Sequence, residues 1–329
     1  MNTVAVTGSI ATDHLMTFAG RFADSLVVEQ LHKISLSFLV EELEVRRGGI
    51  AANISFGMAN LGLRPVLVGA VGEDFVDYRS WLERHGVDCE SVHVSEMRHT
   101  ARFVCTTDSD HAQIASFYAG AMSEAREIEL GPIASRVGGV DLVVISPNDP
   151  EAMLRHTDEC RTRGYPFVAD PSQQLAWMDG AQIRLLVEGA AYLFCNDYEA
   201  ALLEQKTGWT SDEVLARVGT RVTTHGKDGA VVEQVGRERV HVPVAKELRA
   251  VDPTGVGDAF RAGFVSAIAW GLAHERAAEV GSLLATYVLE TVGTQEYELG
   301  RGLFLRRLAE AYGDDAAADV EPHLRTPRP

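Results

Sequence analysis

Short apolar runs, bounded by Gly, Pro or Asp and separated by segments of helical periodicity, constrain this chain most. The runs fall at residues 4–6, 65–69, 142–145, 166–169, 192–194, 221–223 and 230–232. They are too short for helices and lack polar alternation, which predicts strands buried on both faces. Residues 51–61, 78–85, 151–163, 179–188, 198–207 and 210–217 carry the intervening helical patterns. Strand–helix alternation of this kind predicts an α/β fold: a mostly parallel central sheet flanked by helices. Ligands of such sheets gather at the carboxyl ends of the strands.

Two stretches depart from the alternation. Residues 14–48 show no clean helix, and residues 100–106 and 112–118 read as two strands around the turn Asp108-Ser-Asp110. Taken together they predict a small antiparallel sheet inserted as two segments, about 14–48 and 98–120, that lies over the ligand site as a lid. The plainer alternative is a decorative hairpin. Beyond Ala259 the chain reads as helical to Tyr312, so residues 1–312 form one domain. The acidic, then Pro/Arg-rich stretch 313–329 reads as a frayed tail.

A net charge of −17 opposes a nucleic-acid or anionic-membrane partner, because both need a basic surface. An anionic substrate must then be held by backbone amides, a few cations and a metal ion. Cys89, Cys105, Cys160 and Cys195 are too far apart for a CxxC motif and read as buried free thiols. The chain opens on a strand-like run without a secretion signal, and no stretch reaches the length of a membrane span. A cytoplasmic location is expected.

The segment Asp252-Pro-Thr-Gly-Val-Gly-Asp258 leads straight into an apolar helical run, 259–270. Gly255 and Gly257 let the backbone turn tightly and aim successive N–H groups at one point, and the helix dipole adds positive potential there. Such a nest suits a transferring phosphoryl group, with Asp258 at its rim as a base for an attacking hydroxyl. The plainer alternative is an Asp helix cap. No GxxxxGK[ST] segment occurs, and the first strand is followed by Gly8-Ser-Ile-Ala-Thr-Asp13 instead of GxGxxG, which disfavours a nicotinamide oxidoreductase.

In this loop the sequence resembles the ribokinase-like (PfkB carbohydrate kinase) family, with Pro253 inserted and Val256, which adds bulk at the anion hole, in place of the usual Ala. Arg47-Gly-Gly-Ile-Ala-Ala-Asn53 with Leu61-Gly62 is similar to the family's N-terminal signature, and Val68-Gly-Ala-Val-Gly-Glu-Asp74 to its next block. Asn196-Asp-Tyr-Glu199 and Val222-Thr-Thr-His-Gly-Lys-Asp-Gly229 follow in family order. A narrower likeness, to the ribokinase-type adenosine kinases of actinobacteria, rests on Thr7–Asp13, Ser35-Leu-Ser-Phe38, 101–107, 113–118 and Asp170-Pro-Ser-Gln-Gln174.

The resemblance implies an adenosine kinase with Asp258 as base and Gly255, Val256 and Gly257 as anion hole. It implies substrate contacts at Ser9, Asp13, Ser37, Gly48, Gly49, Asn53, Phe103, Phe117, Gln173 and Gln174. ATP would meet Asn196, Thr224, Gly226, Lys227, Gly229 and Gly257, with Mg²⁺ near Glu199 through water and a monovalent cation such as K⁺ at loops 251–253 and 290–294. The residue chemistry agrees where it applies: Asp13 can bridge two ribose hydroxyls, and Phe103 and Phe117 can stack on a purine. Core packing is the plainer role for either ring, a helix cap that for Asn196, and a solvated carboxylate that for Glu199. An open sheet edge invites a homodimer. The alternatives are a sugar kinase acting on ribose or fructose 6-phosphate, which would want more cations than Arg102 and Arg126 supply, and a non-catalytic nucleoside-binding regulator.

Overall fold

The computed structural model describes residues 3–25, 33 and 37–324. Among these, fourteen strands follow in chain order. They are β1 (Val4–Thr7), β2 (Ala11–Thr17), β3 (Glu42–Gly48), β4 (Val66–Val68), β5 (Ala70–Gly72), β6 (His93–Ser95) and β7 (Ala101–Thr107). The rest are β8 (Gln113–Tyr118), β9 (Leu142–Ile145), β10 (Phe167–Ala169), β11 (Tyr192–Asn196), β12 (Thr220–Thr224), β13 (Ala230–Glu233) and β14 (Val240–Val242). The main sheet has the order β14-β13-β12-β11-β10-β9-β1-β4. Its strands from β4 to β12 are parallel, and β13 and β14 extend it antiparallel.

Each predicted apolar run is a strand of this sheet, because both of its faces are covered. Val4, Val6, Leu142 and Val144 enter one core with the helices Ile50–Asn60, Val256–Ala269 and His274–Leu289. Ala5, Val143 and Ile145 enter the other, under Pro150–Arg163 and Gly180–Val187. Period-two alternation thus divides one apolar run between two hydrophobic layers. β1 lies between β4 and β9, so the chain reverses its order along the sheet at the carboxyl end of β1. A crevice opens at such a switch point.

The second sheet has the order β3-β2-β7-β8 and forms the lid. It is mixed and not antiparallel as the sequence suggested: β2 and β7 run parallel, while the outer pairs are antiparallel. Both central strands leave the body from the same side, β2 directly after β1 and β7 after Thr100, so they share a direction. The Asp108 carboxylate shapes the β7–β8 turn by accepting from the amides of Asp110 and Ala112, both at 2.9 Å. Phe18, Phe22 and Phe38 cluster with centroids 4.9–5.7 Å apart.

Two further expectations are corrected. The tail is not frayed where it is described: Asp314–Val320 is a helix, and Ala316, Val320 and Leu324 are buried in the main core. An i,i+4 apolar pair faces inward, and Asp314 and Asp315 sit at the favourable positive end of the helix. The helical run expected after Ala259 is broken between Leu289 and Arg301, where Gly293 takes φ 89°. All four cysteines are free and buried, as their apolar settings predicted. Among the described residues no helix is long and apolar enough to cross a membrane.

Candidate active site

The glycine loop closes on itself before its helix begins. The Asp252 carboxylate accepts from the amides of Thr254 at 2.9 Å and Gly293 at 3.1 Å, pinning the loop to the one between Leu289 and Arg301. Gly255 takes φ 78°, and a Cβ there would come within 2.7 Å of the Thr294 methyl. The helix Val256–Ala269 starts at once, with no side chain capping it. The first-turn amides, Gly257 among them, therefore face the crevice with the positive end of the dipole. The Val256 side chain packs partly buried against the main core.

Asp258 lies in the first turn of that helix. Asn53 Nδ2 donates to its Oδ2 at 2.9 Å. Burial pushes its carboxyl up to about 6, against the opposing pull of Asn53 and Arg261. A carboxylate poised there is ionised at neutral pH yet basic enough to accept a proton.

Across the crevice, the end of β1 and the lid assemble a second set of groups. Ser9 starts the helix Ile50–Asn60: its Oγ accepts from the Ile50 amide at 3.0 Å and its carbonyl from the Ala51 amide at 3.1 Å. Gly49, at φ 92°, has the Ser9 carbonyl and the Ile10 and Ala11 backbone 2.6 Å from where a Cβ would sit. One row crosses all four lid strands, Arg46 opposite Asp13, Asp13 opposite Phe103 and Phe103 opposite Phe117. Directly opposed side chains share a sheet face. This face looks at the glycine loop, for Arg46 Nη1 reaches within 3.7 Å of Asp252 Oδ2. A Cβ on Gly48 would sit 3.1 Å from the Asp13 carboxylate. Burial raises Asp13 to about 6, opposed by Arg46. Phe117 is half exposed, a ring without a full partner.

The carboxyl ends of β11 and β12 complete the crevice, with Asn196 and Thr224 in register. Asn196 and Glu199 form a reciprocal capping box: Asn196 Oδ1 accepts from the Glu199 amide at 2.8 Å, and Glu199 Oε2 from the Asn196 amide at 2.9 Å. The helix-cap role of Asn196 is thus present, whatever else it does. Glu199 is not a free solvated carboxylate; it also accepts from Ser172 Oγ at 3.2 Å and lies 3.9 Å from Arg261 Nη2. Gly226 (φ 57°) and Gly229 (φ 92°) shape the corner after β12, where Lys227 is exposed. Among the described residues no three His, Cys, Asp or Glu side chains gather as a metal cluster. Mg²⁺ fits here only as an ion carried by nucleotide phosphates and water, with Glu199 nearby, as its reluctance to shed water allows.

Other predicted contacts are less directly placed. Gln174 Nε2 is spent on the Asn148 carbonyl at 2.7 Å, while Gln173 and Ser37 are exposed. Ser35 and Leu36 lie outside the described residues. The sequence reading gave no site role to Arg261, Asp170, Gln295 or Tyr78. Arg261 is buried beside Asp170, with Nη2 donating to Oδ1 at 2.7 Å and Nη1 to the Gly257 carbonyl at 3.1 Å. Its Nε lies 2.6 Å from Asp170 Oδ2 but outside hydrogen-bond geometry. A lone cation one turn after Asp258 in an apolar helix was the available signal. A cavity of about 920 Å³ elsewhere, lined by Arg64, Arg136 and Trp270, has none of this chemistry.

The family model described as pfkB family carbohydrate kinase matches residues 7–299. A nucleoside kinase of Methanothermobacter thermautotrophicus is 30% identical over 290 residues, 87% of this chain and 92% of that protein. One from Methanocaldococcus jannaschii is 28% identical over 273 residues, covering 82% and 87%. The ligand-free structure of the Burkholderia thailandensis nucleoside kinase superposes with TM-score 0.85 at 34% identity, covering 93% of this chain and 100% of that one. Its complex with ADP-inosine gives 0.80 at 35% identity, covering 94% and 96%. These relatives are archaeal and proteobacterial nucleoside kinases and not specifically actinobacterial adenosine kinases.

Proposed function

The chain belongs to the pfkB family of carbohydrate kinases, and on that premise we propose that it is an ATP-dependent nucleoside kinase converting adenosine and ATP to AMP and ADP. The carrying observation is the opposition of two sets across one crevice: Asp258 with its open helix N-terminus on one side, the Asp13–Phe103–Phe117 row on the other. Asp13 takes the ribose diol, the two rings take the base, and Asn53 has one Nδ2 proton left for a ribose oxygen. Ser9, Gly48 and Gly49 let the sugar approach the backbone, with Ser37, Gln173 and Gln174 around it.

Asp258 accepts the proton of the 5′-hydroxyl as its oxygen attacks the γ-phosphorus in line. The amides of Gly255, Val256 and Gly257 meet the charge that develops on the transferring group. Asn196, Thr224, Gly226, Lys227 and Gly229 hold the nucleotide at the ends of β11 and β12. Mg²⁺, when bound, neutralises the β- and γ-phosphates near Glu199. A monovalent cation such as K⁺ would lie beside loops 251–253 and 290–294, which Asp252 joins. Closure of the lid, inserted at about 14–48 and 98–120, shields the reacting groups from water.

The test is ADP release with adenosine, inosine, guanosine, ribose and fructose 6-phosphate as acceptors. Adenosine is expected to have the highest kcat/KM. Preference for inosine, which occupies the Burkholderia structure, would move the acceptor to a 6-oxopurine nucleoside. Preference for a sugar would overturn the nucleoside assignment.

The protein is further proposed to act in the cytoplasm, where four reduced thiols persist, and as a homodimer. The outer lid face carries the row Leu43–Met16–Thr106–Ile114, with Leu43 58% and Ile114 50% exposed. Leu43→Glu is expected to halve the mass measured by sedimentation; an unchanged mass would place any dimer elsewhere.

A further inference from the structure

We infer that Gln295 and Tyr78 are positioning residues: they fix which end of the Asn53 amide meets Asp258 and tie that amide to the backbone of Gly48, the last residue of lid strand β3. The inference rests on Asp258 being the base.

Asn53 can present either its donor or its acceptor to Asp258, and only the donor stabilises a carboxylate. Its other end decides. Asn53 Oδ1 accepts from Gln295 Nε2 at 2.9 Å and lies 2.9 Å from Thr294 Oγ1. Thr294 has a single hydroxyl proton and a second acceptor, the Arg47 carbonyl at 3.1 Å. Gln295 is therefore the donor always available to Asn53. Its Nε2 also donates to Tyr78 Oη at 2.6 Å, and Tyr78 Oη donates to the Gly48 carbonyl at 2.9 Å. One unbroken chain of bonds thus runs from Gly48 through Tyr78, Gln295 and Asn53 to Asp258.

The orientation of Gln295 is itself informative. The residue is 1% exposed, both Nε2 protons are used, and its Oε1 has no partner. A buried unpaired acceptor is unfavourable, and it persists where the donor side serves a purpose. Turning the Gln295 amide over would set its oxygen against Asn53 Oδ1. Burial pushes the Tyr78 phenol upward, so it stays a neutral hydroxyl with Arg47, Asp13 and Glu296 around it. The charged groups facing Asp258 are Arg261 on its own helix and Asp170 just after β10, neither of which belongs to this hydrogen-bond network.

Gln295→Glu keeps the shape but removes both donors. Asn53 is then expected to turn its Nδ2 toward the new carboxylate and its Oδ1 toward Asp258. The acid limb of kcat, read with nucleoside saturating so that Asp13 is covered, should move up by about one pH unit. Gln295→Met, which adds no charge, should move it the same way by less. Tyr78→Phe should leave the limb in place and raise the nucleoside KM several-fold, because it frees only the Gly48 end, where lid strand β3 joins the body. If Gln295→Glu fails to melt cooperatively, Gln295→Met decides. A wild-type acid limb in the folded variants overturns the relay. Normal turnover in Asp258→Asn would instead overturn the base assignment on which it rests.

Discussion

Asp258→Asn is expected to lower kcat by about 10²–10⁴-fold while nucleoside affinity, measured by calorimetry, changes little. Asparagine has the shape of the aspartate and its Oδ1 can still accept from Asn53 Nδ2, so the pocket keeps its form. What it loses is the ability to take the 5′-hydroxyl proton. Turnover near that of the parent would remove Asp258 from the chemistry. In the parent, kcat/KM should fall as pH drops through about 6, and more steeply than one proton requires, since Asp13 and Asp258 are both raised to about 6. Stability runs the other way. Asp258 moves up from an ordinary 3.8, so the folded state binds more protons than the unfolded one between about pH 4 and 6. Its charged form therefore costs stability above pH 6. Asp258→Asn should accordingly melt higher than the parent at pH 8, an opposite sign for stability and activity at one residue.

Asp170→Ala is the second large effect, with an expected loss of about 3–5 kcal/mol in urea unfolding. Arg261 is buried and holds its proton firmly, its pKa pushed up chiefly by Asp170 against the cost of burial. Removing the carboxylate leaves a guanidinium in the core with the Gly257 carbonyl as its hydrogen-bond partner and only the less direct carboxylates of Glu199 and Asp258 nearby. Replacing both partners, as in Asp170→Leu with Arg261→Met, should recover most of the stability, because no charge is then stranded. Activity should not return with it. Arg261 holds the carbonyl of Gly257, a proposed anion-hole residue, and lies one turn from Asp258, so the pair supports the proposed site as well as the core. A single variant Asp170→Ala as stable as the parent would show that the pair is solvated in solution.

The strands and the glycine loop were legible because their signals are local. A run such as Leu142-Val-Val-Ile145 has nowhere to go but between two layers, and Gly255 and Gly257 declare a tight turn wherever they fall. The lid strands were legible for the same reason, but their relative direction was not. Direction depends on where β2 and β7 leave the body, which no residue within either strand encodes. The helical tail was missed because its apolar pair, Ala316 and Val320, gains its energy only from a core supplied by distant helices.

The sequence by itself determined the α/β class, the position of the candidate anion-binding loop, the candidate base Asp258 and the aromatic pair Phe103 and Phe117. Only the tertiary structure decided what sets these groups in place. Asn53 and Asp258 are 205 residues apart and share a 2.9 Å hydrogen bond. Arg261 meets Asp170 across 91 residues, and Gln295 meets Tyr78 across 217. A hydrogen bond or ion pair made across such distances leaves no periodicity or spacing behind. It exists only once two hydrophobic layers have fixed the ends of β1, β10 and the helix Val256–Ala269 around one crevice.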